Sequence, residues 1–182
     1  FVISDDKTVK TLGLLWDSGR DVLSYSVNLT DESQRRITKR FILSIVAQIF
    51  DPLGLLGPIT VRAKLILQQL WKDKIDWDQT VSPQIFSVFS QFYKQMLQLN
   101  KIEVPRQVLL RNWCNVRLHA FCDASEVAYG ACIYLVSENE NGEYRSQLLC
   151  AKSRVAPLKS ITLPRLELCG ALVLAQIVDK LR

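Results

Sequence analysis

Through much of the first part of the chain, apolar residues recur at intervals of three and four, which is the spacing of amphipathic helices. A first helix is predicted to begin after Thr38, which can cap it, and to end before Asp51 and its following proline. Pro58 suits the first turn of a second helix, and Ser82 followed by proline can start a third. The third helix has an apolar face that predicts a packed helical core. Its residues are Ile85, Phe86, Phe89, Phe92, Tyr93, Met96 and Leu97.

Strands are predicted in two other places, where apolar and polar residues alternate or aliphatic and aromatic residues cluster. Residues 9–29 are predicted to form two short strands around the turn Asp17–Arg20. Beyond residue 105 three further strands are predicted, and Thr162 with Pro164 then starts a final helix that runs to the end of the chain. The three strands cover residues 116–122, 129–137 and 144–152.

This order of elements predicts an α+β chain in two parts. Residues 1–104 would form a β-hairpin and three packed helices, and residues 105–182 would form a three-stranded antiparallel sheet with one helix across it. The composition agrees with a folded chain, because 48% of the 182 residues are hydrophobic and 23% are charged.

Charge and cysteine content narrow the classes of function only a little. The formal net charge of +5 permits a polyanionic partner without requiring one. Five cysteines without a C-x-x-C pair, together with the single His119, do not form the pattern of a zinc site. They are typical of reduced thiols in an intracellular protein. The most apolar run, residues 166–178, is too short and too interrupted to span a bilayer, so no membrane partner is expected.

Two carboxylates are the strongest candidates for chemistry. Asp123 ends a predicted strand, and Glu167 lies inside the apolar final helix, where a carboxylate would lose hydration unless a cation or strong donors compensate. Two carboxylates that meet over a sheet could bind Mg²⁺, since hard cations take oxygen ligands. The alternative is that Glu167 forms an ion pair with Arg165, Arg154 or Lys152 and has no chemical role.

Several linked stretches resemble a known family. FCDASEVAYGACIYL and LLCAKSRVAPLKSITLPRLELCGALV resemble the start of a ribonuclease H domain of the retroelement type. TKRFILSIVAQIFDPLGLLGPITVRAKLILQQLW is similar to the reverse-transcriptase thumb and connection that precede it in BEL/Pao retrotransposon Pol polyproteins, and KTLGLLWDSGRDVL resembles the end of the palm. The resemblance implies that residues 1–104 are a palm-end hairpin with a thumb and connection, and that residues 105–182 are a truncated ribonuclease H-like region.

The same resemblance implies a function. Asp123 would be the first metal-binding carboxylate and Glu167 the second, with Mg²⁺ as the cofactor of the complete domain. Ribonuclease H sites use further carboxylates on later elements, whereas this sequence ends at Arg182, so we expect the chain alone to be inactive. The implied partners are an RNA–DNA hybrid or template–primer duplex and the remainder of the Pol polyprotein, in a cytoplasmic particle or the nucleus.

The resemblance to a thumb also implies that the first helix lies along the backbone of a template–primer duplex. Four basic residues at its start would then contact phosphates without reading sequence, namely Arg35, Arg36, Lys39 and Arg40. The alternative for them is a solvated basic turn.

Two other functions remain open. Sequences of this type often bear an aspartic-peptidase label, and LLWDSG supplies a strand that ends in D-S-G, with Asp17 as the candidate acid. The predicted helices that follow do not suit a β-rich peptidase, so we prefer Asp17 as a hairpin-turn residue. A non-catalytic relic that still binds nucleic acid is the other alternative.

Overall fold

The computed structural model describes residues 8–11, 14–29 and 36–181. The chain has an α+β architecture, as predicted, and divides into two compact units. The first unit contains the described residues up to Pro52 together with Arg62–Arg106, and the second contains Leu53–Val61 together with the chain from Gln107 onward. The sequence pattern did not indicate that the short segment Leu53–Val61 belongs with the second unit.

The first unit contains a four-stranded antiparallel sheet in the order β1-β2-β3-β4. The predicted hairpin is confirmed as β2 (Leu14–Asp17) and β3 (Val22–Ser24), which pair around the expected turn. The sequence pattern missed β1 (Thr8–Thr11) and β4 (Glu103–Pro105) because strands of three or four residues give too few positions for alternation to be recognised. Strand β4 follows the three helices in the chain and pairs with β3.

The three helices of the first part are confirmed, and the two predicted caps are formed. The helices are α1 (Lys39–Val46), α2 (Gly57–Lys72) and α3 (Pro83–Met96). The Thr38 hydroxyl accepts the backbone N–H of Phe41 at 3.3 Å, and the Ser82 hydroxyl accepts that of Ile85 at 3.4 Å. The buried stripe of α3 is narrower than predicted and consists of Ile85, Phe89, Phe92 and Met96. Phe86 and Leu97 lie beside this stripe and are half exposed.

The second unit is built on a three-stranded antiparallel sheet in the order β5-β6-β7. Strands β5 (Trp113–Ala124), β6 (Ala128–Asn139) and β7 (Tyr144–Val155) confirm the three predicted strands and extend each by several residues. Helix α4 (Leu163–Asp179) lies across β5 and β6. Its sheet-facing residues are Leu166, Gly170 and Val173, which are all buried.

The outer face of α4 is apolar and exposed. Leu168 and Leu172 are exposed, because the three-stranded sheet covers only one side of the helix. Within the described ranges, the structure has no helix that combines the length and apolar character needed to cross a membrane.

Within the second unit, Leu53 and Gly54 lie against the outer edge of β7. The Ala151 N–H in β7 donates to the Leu53 carbonyl at 2.8 Å. Gly54, the next residue, has a φ of +75°, and a Cβ atom placed on it would overlap the Ala151 carbonyl oxygen. This close approach explains why the link DPLGLLGP needs glycine at position 54.

Candidate active site

Asp123 lies where the sequence placed it, one residue before the end of β5. It is paired in register with Gly130 of β6, and its side chain is exposed. The carboxylate oxygen Oδ1 accepts the N–H of Ala124 at 2.8 Å, so the local backbone fixes the direction of the side chain. The strand therefore presents a carboxylate to solvent at the turn between β5 and β6.

The turn that follows Asp123 is closed by a serine and not by glycine. The Ser125 hydroxyl accepts the Ala128 N–H at 3.2 Å and donates to the Ala128 carbonyl at 3.1 Å. The Ser125 N–H also donates to that carbonyl at 2.8 Å. The turn residues Glu126 and Val127 do not adopt positive φ, which removes the need for glycine. Ser125 thus holds the two strands together beside Asp123.

Gly170 brings α4 into contact with this strand end. A Cβ atom at position 170 would lie 3.2 Å from the Asp123 carbonyl oxygen and 3.5 Å from that of Gly130. Only glycine allows the helix backbone to approach the two strands this closely without displacement. Glu167 precedes Gly170 by three residues and is its neighbour on the helix surface. In the sequence, this close packing is indicated only by a glycine one turn after an acidic residue in an apolar helix. The sequence analysis did not predict the packing from it.

Glu167 is exposed, which corrects the expectation that its surroundings remove its hydration. It lies beside the buried stripe of α4 and not within it, because Leu166, Gly170 and Val173 occupy the sheet-facing side. Among the described residues it forms no ion pair with any of the three basic residues considered as partners. Glu167 is therefore accessible to a ligand.

Two shallow depressions flank Asp123 within the second unit. One, of about 300 Å³, is lined by the start of α2 at Gly57 and Pro58 and by Asp123, Ser125 and Tyr129. The other, of about 280 Å³, is lined by residues of all three strands, including Asp123 and Lys152. Asp123 thus lies at an open surface and not in an enclosed cavity.

The residues present fit a hard divalent cation in type but not in number. Carboxylate oxygens are suitable ligands for Mg²⁺ or Mn²⁺. In the part of the chain that the structure describes, however, no three potential ligands among His, Cys, Asp and Glu come together. Asp123 and Glu167 are thus suitable as ligands by residue type, but the described residues do not form a complete coordination shell around them.

The basic residues that were predicted to contact phosphates, as far as the structure describes them, lie in different environments. Arg36 is exposed, as a phosphate contact requires. Arg40 is exposed but is held by Asp78, whose carboxylate accepts from its Nε at 2.8 Å and from a terminal nitrogen at 3.0 Å. The structure corrects the prediction for Lys39, because its side chain is buried and cannot reach a phosphate at the surface. Arg35 lies outside the described residues.

Asp17 has the geometry of a hairpin-turn residue. Its Oδ1 accepts the N–H groups of Gly19 and Arg20 at 2.9 and 3.1 Å, and its Oδ2 accepts Arg20 Nε at 2.7 Å. The hydrogen bond from the Arg20 side chain, helped by the one from its backbone, lowers the pKa of Asp17 below its ordinary value. These hydrogen bonds engage Asp17 with its own turn, whereas a peptidase acid would share a proton with a second carboxyl.

Comparison with models of protein families gives a match over most of the chain. The model of the Pao retrotransposon-like RNaseH-like domain matches residues 38–182, which is most of the chain. Asp123 and Glu167 lie inside the matched range, whereas Asp17 lies outside it. No curated protein matches the sequence.

Proposed function

Because the chain belongs to the Pao retrotransposon-like RNaseH-like domain family, we propose that it is a segment of a retrotransposon reverse transcriptase and ribonuclease H that binds an RNA–DNA hybrid. The observation that supports this most directly is the packing of α4 on the end of β5. There Gly170 rests against the backbone of Asp123, while Glu167 is exposed one turn away.

In this proposal the two carboxylates have a shared task. A bound divalent cation would supply Lewis-acid chemistry at a phosphodiester of the RNA strand. Asp123 would hold its position through the hydrogen bond from Ala124 and the turn closed by Ser125. Glu167 would be carried by a helix whose distance from the strand is set by glycine. The basic side chain of Arg36 would contribute sequence-blind attraction to the nucleic-acid backbone.

We propose further that this chain does not cleave RNA alone and acts within a larger Pol polyprotein. A two-metal site has more coordination positions than two carboxylates can fill. The described residues gather no third ligand beside them. The chain would therefore bind the hybrid and supply two ligands to a site that other segments complete.

Hybrid binding in the presence and absence of Mg²⁺ tests the proposal. Fluorescence anisotropy with a labelled RNA–DNA hybrid should show salt-dependent binding that tightens when Mg²⁺ replaces EDTA. The double variant Asp123→Asn/Glu167→Gln should lose the gain from Mg²⁺ and keep the remaining affinity. Asp179→Asn, which removes another exposed carboxylate of α4, should behave like the unmodified protein.

The opposite result would favour the non-catalytic relic. In that case the affinity for the hybrid would be equal with Mg²⁺ and with EDTA, and the double variant would bind as the unmodified protein does. RNA cleavage by the purified chain that disappears in the double variant would instead show that the two carboxylates suffice, and would contradict the proposed dependence on other segments.

A further inference from the structure

Lys39 in the first unit is enclosed by two tryptophans. Its side chain is only 4% exposed, and its ammonium nitrogen lies 3.4 Å from the ring centroid of Trp71 and 5.2 Å from that of Trp77. The same nitrogen donates to the Ile75 carbonyl at 3.2 Å. A buried ammonium needs such compensation, which the ring faces and the carbonyl provide. Lys39 is thus an internal cation placed behind an aromatic surface.

The two indoles remain open to solvent on their other sides. Trp71 is 53% exposed and Trp77 is 47% exposed, although both contact Lys39. The rings meet edge to face, with centroids 6.1 Å apart and planes at 89°. Since Lys39 occupies one face of Trp71, the exposed area of this indole belongs to its opposite face and its edges. Exposure of two neighbouring indoles to water is unfavourable, and such an apolar patch is typical of a binding site.

The loop that carries Trp77 is fixed to the start of α1. Arg40 N–H donates to the Trp77 carbonyl at 3.0 Å, and Val81 N–H donates to the Ile37 carbonyl at 3.1 Å. The Arg40 guanidinium also lies 5.7 Å from the Trp77 ring. These contacts hold the indole pair in place before any ligand arrives, which lowers the entropic cost of binding.

The charge around the indoles selects the class of ligand. A cation behind the ring disfavours a second cation on the open face, because both would compete for the same ring electrons. It favours a neutral aromatic group attached to an anionic chain. Lys39 is buried, and Arg40 is paired with Asp78. The other charged residues of the neighbouring segments 36–40 and 71–78 are three basic and two acidic residues, a balance of +1.

We propose that Trp71, together with the neighbouring Trp77, is a stacking platform for unpaired bases of a single-stranded nucleic acid. Base stacking on an exposed indole tolerates any sequence, and the basic side chains nearby would follow the phosphates. This platform lies wholly in the first unit and is independent of the two carboxylates of the second, so it goes beyond the proposed function.

Two single strands of about twelve nucleotides distinguish stacking from simple charge attraction. One is oligothymidylate, and the other has the same backbone with abasic residues. The unmodified chain should bind the thymidine strand about tenfold more tightly than the abasic strand. Trp71→Ala should remove this difference, Trp71→Phe should keep part of it, and Trp113→Ala, which deletes a tryptophan that is 52% exposed elsewhere, should leave it unchanged.

Equal affinity of the unmodified chain for the two strands would overturn the proposal without recourse to any variant. A preference for thymidine that persists in folded Trp71→Ala would overturn it as well. The bases of an RNA–DNA hybrid are paired, so Trp71→Ala should change hybrid affinity by no more than about twofold. Conversely, Asp123→Asn/Glu167→Gln should leave the thymidine preference intact, so a failure of either proposal can be recognised separately.

Discussion

Asp21 joins three parts of the first unit through one carboxylate. Its Oδ1 accepts Trp16 Nε1 at 3.0 Å, and Arg106 donates to both of its oxygens at 2.6 and 3.1 Å. The hydrogen bond from Arg106, followed by that from Trp16, lowers the pKa of Asp21 below its ordinary value. The backbone of Asp21 has a φ of +52°, a conformation that asparagine also tolerates. Asparagine is therefore a conservative probe of the charge.

Asp21→Asn should make stability less dependent on pH. A carboxyl whose folded-state pKa is lowered contributes stability above its unfolded pKa and loses it as the pH falls through the folded value. The unmodified chain should therefore become easier to unfold with urea as the pH falls from about 5 to about 2. The variant should be less stable at neutral pH and should lose less on acidification.

The control is Asp179→Asn, which removes an exposed carboxylate without a described ion pair. It should retain the pH dependence of the unmodified chain. If Asp21→Asn instead keeps both the stability at neutral pH and the full acid sensitivity, then the ion pair with Arg106 contributes nothing measurable.

At single residues, local features could be predicted from the sequence, whereas burial against distant residues could not. Thr38 and Ser82 were recognised because a cap depends on residues three positions away. The burial of Lys39 was not recognised, because its cage consists of indoles more than thirty residues away. Glu167 was placed in the correct helix but in the wrong environment, since the side of α4 that faces the sheet is decided by packing.

At the scale of elements, the link before α2 has a defined partner and a defined backbone conformation, as a strand does. Leu53 gives its carbonyl to the edge of β7, and Gly54 must adopt a positive φ to pass there. The sequence indicated a turn-rich link but not its partner, because the bonded residue, Ala151, lies about a hundred residues further along the chain. Long-range strand edges of this kind leave no local pattern.

Gly54→Ala should strongly destabilise the second unit. The added Cβ would overlap the Ala151 carbonyl oxygen, and alanine disfavours the backbone conformation that Gly54 adopts. A loss of about 2 kcal/mol or more in the free energy of unfolding is expected from the combined strain and overpacking. Urea denaturation followed by circular dichroism measures this change.

Gly57→Ala is the matched control, because a Cβ at that position meets nothing within 4 Å. It should be neutral or slightly stabilising at the start of α2. Equal stabilities of the Gly54 and Gly57 variants would show that the link does not rest against β7 as described.

For the molecule as a whole, the sequence predicted the fold class, the order of the main elements and the membership of a retroelement family. It could do so because the long elements carry strong periodicity and because their motifs are linked in a characteristic order. It did not predict the two-part composition of the second unit, in which Leu53–Val61 joins residues far along the chain. It also did not predict which faces of α4 stay exposed, since that depends on how much sheet is present to cover them.

The central claim is that Asp123 and Glu167 act on the same divalent cation. The most direct test is a Mn²⁺ titration followed by electron paramagnetic resonance, with the unmodified chain, Asp123→Asn, Glu167→Gln and the double variant. Each single variant should weaken binding by about tenfold, and the double variant by little more, because ligands to one ion are energetically coupled. Absence of binding to the unmodified chain, or losses that simply add, would contradict a shared site.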